Sequence, residues 1–201
     1  MHLAMISDAW FPQVNGVVRT LDTLKRGLED QGWRVTMITP DLFCTVPCPT
    51  YPEIRLALGA GRRIAALLDE ARPSAIQIST EGPLGYAARR YCLKRGYPFT
   101  TAFHTRFPEY IHARTGLPLA ISYPLIRRFH APAKAVMVST RTIETVLRRR
   151  GFINLKKWSR GVDTALFRPG DKSFLPGPRP VSLYAGRVAV EKNLEAFLSL
   201  D

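Results

Sequence analysis

Ala4-Met5-Ile6-Ser7-Asp8-Ala9-Trp10-Phe11-Pro12-Gln13-Val14-Asn15-Gly16-Val17-Val18-Arg19-Thr20-Leu21 is the stretch from which the rest of the chain is read. A short apolar strand ends at Ser7-Asp8. A loop of Trp, Phe, Pro and Asn follows, and Gly16 opens an amphipathic helix. Val17, Leu21, Leu24 and Leu28 form one stripe of that helix, while Lys25, Arg26, Glu29 and Asp30 face water. Gly32 stops it. The first N–H groups of a helix lack partners and carry partial positive charge, so they hold anions readily. A glycine there keeps no side chain between backbone and ligand. Two readings stay open for Gly16: an anion cradle, or a plain strand–helix connection with a glycine cap.

The same alternation runs on. Strands read at 2–7, 34–39, 53–57, 74–79, 98–103, 134–139 and 155–159, and helices at 17–31, 60–71, 83–95, 117–131 and 141–150. Runs such as Ala135-Val136-Met137-Val138 and Ala75-Ile76-Gln77-Ile78 are apolar on both faces, as in buried strands. The pattern predicts a Rossmann-like, doubly wound α/β fold with a parallel sheet and helices on both faces over residues 1–160. Residues 161–180, with Pro169-Gly170, Pro176-Gly177-Pro178 and Pro180, read as a linker. A fresh strand is expected at Val181-Ser182-Leu183-Tyr184-Ala185, then a helix with Leu194, Phe197 and Leu198 on one side. One strand and one helix bury no core, so residues 181–201 read as the truncated opening of a second α/β domain.

The chain has 201 residues, 46% hydrophobic and 22% charged, which suits a globular protein with a sizeable core. The N-terminus has no basic region before its short apolar run, and no apolar stretch is long enough for a bilayer span, so a cytoplasmic protein is expected. Cys44, Cys48 and Cys92 read as free thiols, because Cys44 and Cys48 lack zinc spacing and a second ligand pair. No metal site is expected. The net charge of +13 is concentrated: residues 82–160 hold 16 basic side chains against only Glu109 and Glu144. Such a field attracts anionic partners.

Ligands of open α/β sheets bind beyond the carboxyl ends of the strands. Asp8, Thr80-Glu81-Gly82-Pro83, His104-Thr105-Arg106 and Ser139-Thr140-Arg141 all fall there, which singles out His104 among the four histidines; His2, His112 and His130 read as structural. Gly59-Ala60-Gly61-Arg62-Arg63-Ile64 only begins like a dinucleotide fingerprint, since Ile replaces the small residue required. No P-loop or G-x-S-x-G elbow occurs. Arg187 and Lys192 lie at the expected start of the last helix, where its dipole disfavours cations. An anion between them and the helix end would justify the placement, Arg gripping phosphate with its fork and Lys acting as a point charge.

Five segments in order resemble the retaining GT-B glycosyltransferases of family 4, bacterial mannosyltransferases and glycolipid glycosyltransferases above all. They are Asp8 to Val17, Ser79-Thr80-Glu81-Gly82-Pro83-Leu84-Gly85, Phe103 to Tyr110, Arg160-Gly161-Val162-Asp163 through Pro169, and Ala185-Gly186-Arg187 with Glu191-Lys192-Asn193. The resemblance implies two Rossmann-like domains facing across a cleft, with a nucleotide-sugar donor mainly on the second and a lipid or glycan acceptor on the first. It implies that Gly16, Arg187 and Lys192 bind the donor diphosphate, that His104 is catalytic beside the reacting sugar, and that Asp8, Asn15 and Glu81 line the acceptor side. No cofactor and no metal are implied. The family's E-x7-E motif would fall beyond Asp201, so residues 1–201 alone are expected to be inert.

The basic segment 82–160 is read two ways. Leu117 to Phe129 mixes apolar residues with Arg127-Arg128, which suits docking on anionic lipid at the inner membrane face, or a buried helix kinked at Pro124 with a solvated basic end. Two rival functions are a noncatalytic nucleotide binder and a basic nucleic-acid module; the latter lacks any recognised motif, and no nucleic acid is expected.

Overall fold

The structure is a computed structural model in which residues 1–48, 51–171, 180–186, 188 and 192–200 are described. Its first strand is β1 (His2–Ile6), and the next strand, β2 (Arg34–Ile38), pairs parallel to it in register Leu3↔Val35. The chain then leaves the sheet as a separate antiparallel hairpin, β3 (Thr45–Cys48) and β4 (Tyr51–Ala57). It returns on the other side of β1 as β5 (Ala75–Ile78), in register Leu3↔Ala75, followed outward by β6 (Thr100–Ala102), β7 (Ala135–Val138) and β8 (Leu155–Lys157). The order β2-β1-β5-β6-β7-β8, parallel throughout, is doubly wound, and its direction reverses between β1 and β5.

The connections are helical: α1 (Gly16–Asp30), α2 (Ala60–Ala71), α3 (Pro83–Arg95), α4 (Phe107–Thr115), α5 (Leu119–His130) and α6 (Arg141–Arg149). Successive side chains of a strand point to opposite faces. Ala4, Met5 and Ile6 are all fully buried, so both faces of the sheet are covered. On one face Ala4, Ile6, Ile76 and Ile78 meet Ile64 and Leu68 of α2 and Leu84, Ala88 and Cys92 of α3 in one apolar cluster. A second cluster, Phe103, Tyr123, Val136, Val138, Leu147, Phe152 and Leu155, fastens α5 and α6 to the far strands. Each fully buried Leu or Ile contributes about 1.5–3 kcal/mol.

Four sequence readings are corrected. The strand expected at 53–57 is β4, outside the parallel sheet; its partner β3 went unread because Val46 and Pro47 face water and no apolar alternation marks it. Helix α4 was also unread, since only Pro108 among its residues is buried and no stripe shows. Residues 181–185 form no strand: a strand needs a neighbour's ladder, and among the described residues none pairs with them. A five-residue helix, α7 (Leu194–Leu198), follows, and Lys192 precedes it instead of lying in its first turn. Among the described residues no helix is long and apolar enough to cross a membrane.

Candidate functional site at the carboxyl edge of the sheet

The reversal between β1 and β5 opens the crevice in which doubly wound folds bind ligands. Asp8, just beyond β1, reaches across it to the residues after β5. Its backbone N–H donates to Thr80 Oγ1 at 2.7 Å, and the Thr80 hydroxyl donates back to Asp8 Oδ2 at 2.7 Å. The Leu84 and Gly85 N–H groups, in the first turn of α3, donate to Oδ1 and Oδ2 at 2.8 and 3.3 Å. Asp8 is thus the anion that satisfies the head of α3. Burial pushes its carboxyl pKa up, against the pull of these donors. The turn has no room for larger residues: a Cβ on Gly82 would lie 2.4 Å from Asp8 Cγ, and one on Gly85 would lie 1.9 Å from the Thr80 carbonyl oxygen.

The head of α1 is arranged differently. Asn15 Oδ1 accepts from the Val17 and Val18 N–H groups, both at 3.0 Å, and its amide donates to the Gln13 side chain. Gly16 is exposed, and among the described residues its N–H meets no acceptor. A Cβ placed on Gly16 would touch nothing within 4 Å, and its φ is not positive. Nothing within the fold requires glycine there. Room beside an unpaired helical N–H is what an approaching anion needs.

Glu81 turns into the protein. Its Oε1 lies 3.1 Å from His130 Nε2, and His130 Nδ1 lies 2.8 Å from Thr101 Oγ1. His130 is fully buried among the rings of Phe103, Phe129 and Phe152. The sequence reading of His130 as structural agrees with this burial, but it did not foresee Glu81 as the partner.

His104 follows β6. Arg160 Nη2 lies 3.1 Å from its Nδ1, Trp158 stands edge-on to the ring at 5.8 Å, and its Nε2 is buried without a partner among the described residues. Burial first, then the Arg160 charge, lowers its pKa from 6.5 to about 4, so the ring is neutral at pH 7. The structure therefore brings together Asp8 with the Thr80–Gly85 turn, and His104 with Arg160. Lys192 is exposed, and Arg187 lies outside the described residues. Arg160 was missed as a site residue, and Thr80 was placed at the crevice without a role. Both stand shortly after strands, but nothing local marks the partners they find 56 and 72 residues away.

A family model, Glycosyltransferase Family 4, matches residues 14–166. The chain belongs to that family. The family 4 match takes in the open head of α1, the Thr80–Gly85 turn, His104 and Arg160. The chain is 24% identical to a GDP-mannose-dependent alpha-mannosyltransferase of Mycobacterium tuberculosis, over 100% of this chain and 59% of the relative. It is 23% identical to an alpha-monoglucosyldiacylglycerol synthase of Streptococcus pneumoniae, over 98% of this chain and 51% of the relative. It thus spans little more than half the length of these relatives. Among solved structures it is similar to a UDP-GlcNAc 2-epimerase of Methanocaldococcus jannaschii, with TM-score 0.49, 16% identity, and coverage of 79% of this chain and 45% of that one.

Proposed function

We propose that this chain supplies the acceptor-side half of a retaining glycosyltransferase that moves a hexose from a nucleotide-diphosphate sugar to a lipid or glycan acceptor. The observation that carries this reading is Gly16: an N–H at a helix head with no acceptor among the described residues, where an added Cβ would meet nothing within 4 Å. As the sugar–phosphate bond breaks, positive charge develops on the sugar and negative charge on the departing diphosphate. Donors and cations aimed at the diphosphate lower the barrier. Gly16, with Arg187 and Lys192, takes this part, and the two cations do the work a metal ion would do elsewhere. Attack from the face of departure, with the leaving phosphate accepting the acceptor's proton, gives retention. His104 adjoins the reacting sugar. Asp8 and Asn15 bound the acceptor side, Glu81 backs that wall from within through His130, and the intramolecular bonds each already makes keep it rigid.

The test is sugar transfer by the whole protein carrying Gly16→Val. The added Cβ meets nothing within 4 Å at this exposed position, so stability should hold, while transfer should fall by roughly 10²-fold or more as the phosphate loses its place. Transfer at the wild-type rate overturns the reading. Residues 1–201 alone should show no transfer, in line with a chain that covers 59% and 51% of two relatives.

The acceptor side is proposed to work from the inner face of the membrane. Helix α5 supports this: it turns Tyr123 and Phe129 inward but leaves Ile121 51% and Leu125 57% exposed, alongside Arg128. Next to it α3 exposes Tyr86, Arg90, Leu93 and Lys94, and Tyr86 packs on Phe129 at 4.8 Å. Apolar residues among cations on paired helices fit an anionic lipid surface.

A further inference from the structure

We infer that Arg160 is a positioning residue that fixes the His104 ring as its Nε2–H tautomer, so that His104 meets substrate as a hydrogen-bond donor and not as a base. The inference rests on the transferase reading for the identity of that substrate, but not for the ring chemistry. A guanidinium donates and never accepts. The 3.1 Å approach of Arg160 Nη2 to His104 Nδ1 therefore uses the Nδ1 lone pair. In a neutral imidazole the one proton then resides on Nε2.

The remaining observations bear on the same ring. Burial and the facing cation both keep it neutral. Trp158 stands edge-on to it at an interplanar angle of 68°. Trp158 and Arg160 belong to the stretch directly after β8, whereas His104 follows β6, so the clasp reaches over the end of β7. What it leaves is an Nε2–H that is buried and, among the described residues, has no acceptor. An unmet buried donor is unfavourable until it finds an acceptor. A fold carries that cost where a ligand oxygen completes the bond. In a glycosyl transfer the fitting oxygens are those of a sugar hydroxyl or of the donor phosphate. An Nε2 that already holds its proton cannot take the acceptor's proton, which passes to the departing phosphate instead.

Imidazole ¹⁵N spectra of the full chain at neutral pH test this, with His104→Gln identifying the signals by their loss. The expected pattern for His104 is a protonated Nε2 and an unprotonated Nδ1. Arg160→Ala should introduce an Nδ1–H population, and Arg160→Lys, which keeps a donor and no acceptor, should restore the wild-type pattern. A protonated Nδ1 in the wild type overturns the inference, as does an Arg160→Ala spectrum unchanged from wild type. Should Arg160→Ala fail to fold, the wild-type and Arg160→Lys spectra still decide. Because the readout is a tautomer and not turnover, the inference and the transferase reading can fail separately.

Discussion

Burial and the Arg160 guanidinium both disfavour a charged His104, and this has a consequence for stability. The unfolded chain takes up a proton on this ring below pH 6.5, and the folded chain does so only near pH 4. Between those values the unfolded state binds more protons, so stability rises with pH and is lost as pH falls from 6.5 to about 4. The loss from this one ring amounts to at most about 3 kcal/mol. Urea midpoints measured across pH 4–7 should show it as a steeper acid loss in wild type than in His104→Gln; equal slopes would refute it. Asp8 gives a second expectation. Asp8→Ala leaves two helical N–H groups and the Thr80 hydroxyl without their acceptor, for a loss of about 2–4 kcal/mol. Asp8→Asn keeps one acceptor oxygen and should lose less. Chemical denaturation of the two variants checks the order.

At the scale of elements, the turn from β5 into α3 shows how closely backbone is packed here. Gly85 lies against the Thr80 carbonyl so tightly that a single methyl group has no room. Gly85→Ala must lift α3 off β5 and should destabilise by 3 kcal/mol or more (roughly the upper end for overpacking), whereas Gly16→Ala should be nearly neutral. Thermal melts of the pair, run side by side, test the contrast. The same turn marks what sequence could reveal. The start of α3 at Pro83 was legible, because proline at a first helical position is local chemistry. Its capping group was not, because Asp8 comes from 76 residues upstream. The parallel strands were legible as apolar runs, and α1 as a stripe. The β3–β4 hairpin and α4 bury too little to leave such a trace.

For the whole molecule the uneven charge is the dominant feature. Both acidic residues of the segment 82–160 are already taken, Glu109 by Arg106 at 2.6 Å and Glu144 by Arg148 at 2.7 Å, so most of its 16 cations have no carboxylate within the segment. Co-sedimentation with vesicles containing anionic lipid should therefore retain the protein at low salt and release it progressively as salt is raised. Neutral vesicles should retain little, and equal binding to both would point away from the basic face. Leu125→Asp should weaken retention without unfolding the chain, since that side chain is 57% exposed. The fold's architecture was legible from the alternation of elements, but the surface was only half legible: the apolar residues of α5 divide between core and solvent in a way no helical period announced. Strand β8 bears on a different matter. It is three residues long, stands last in the sheet among the described residues, and carries the exposed Lys156 and Lys157. A sheet border is an open template on which a second chain can add its own strand. Two adjacent ammonium groups on so short a border should disfavour edge-to-edge pairing with an identical copy.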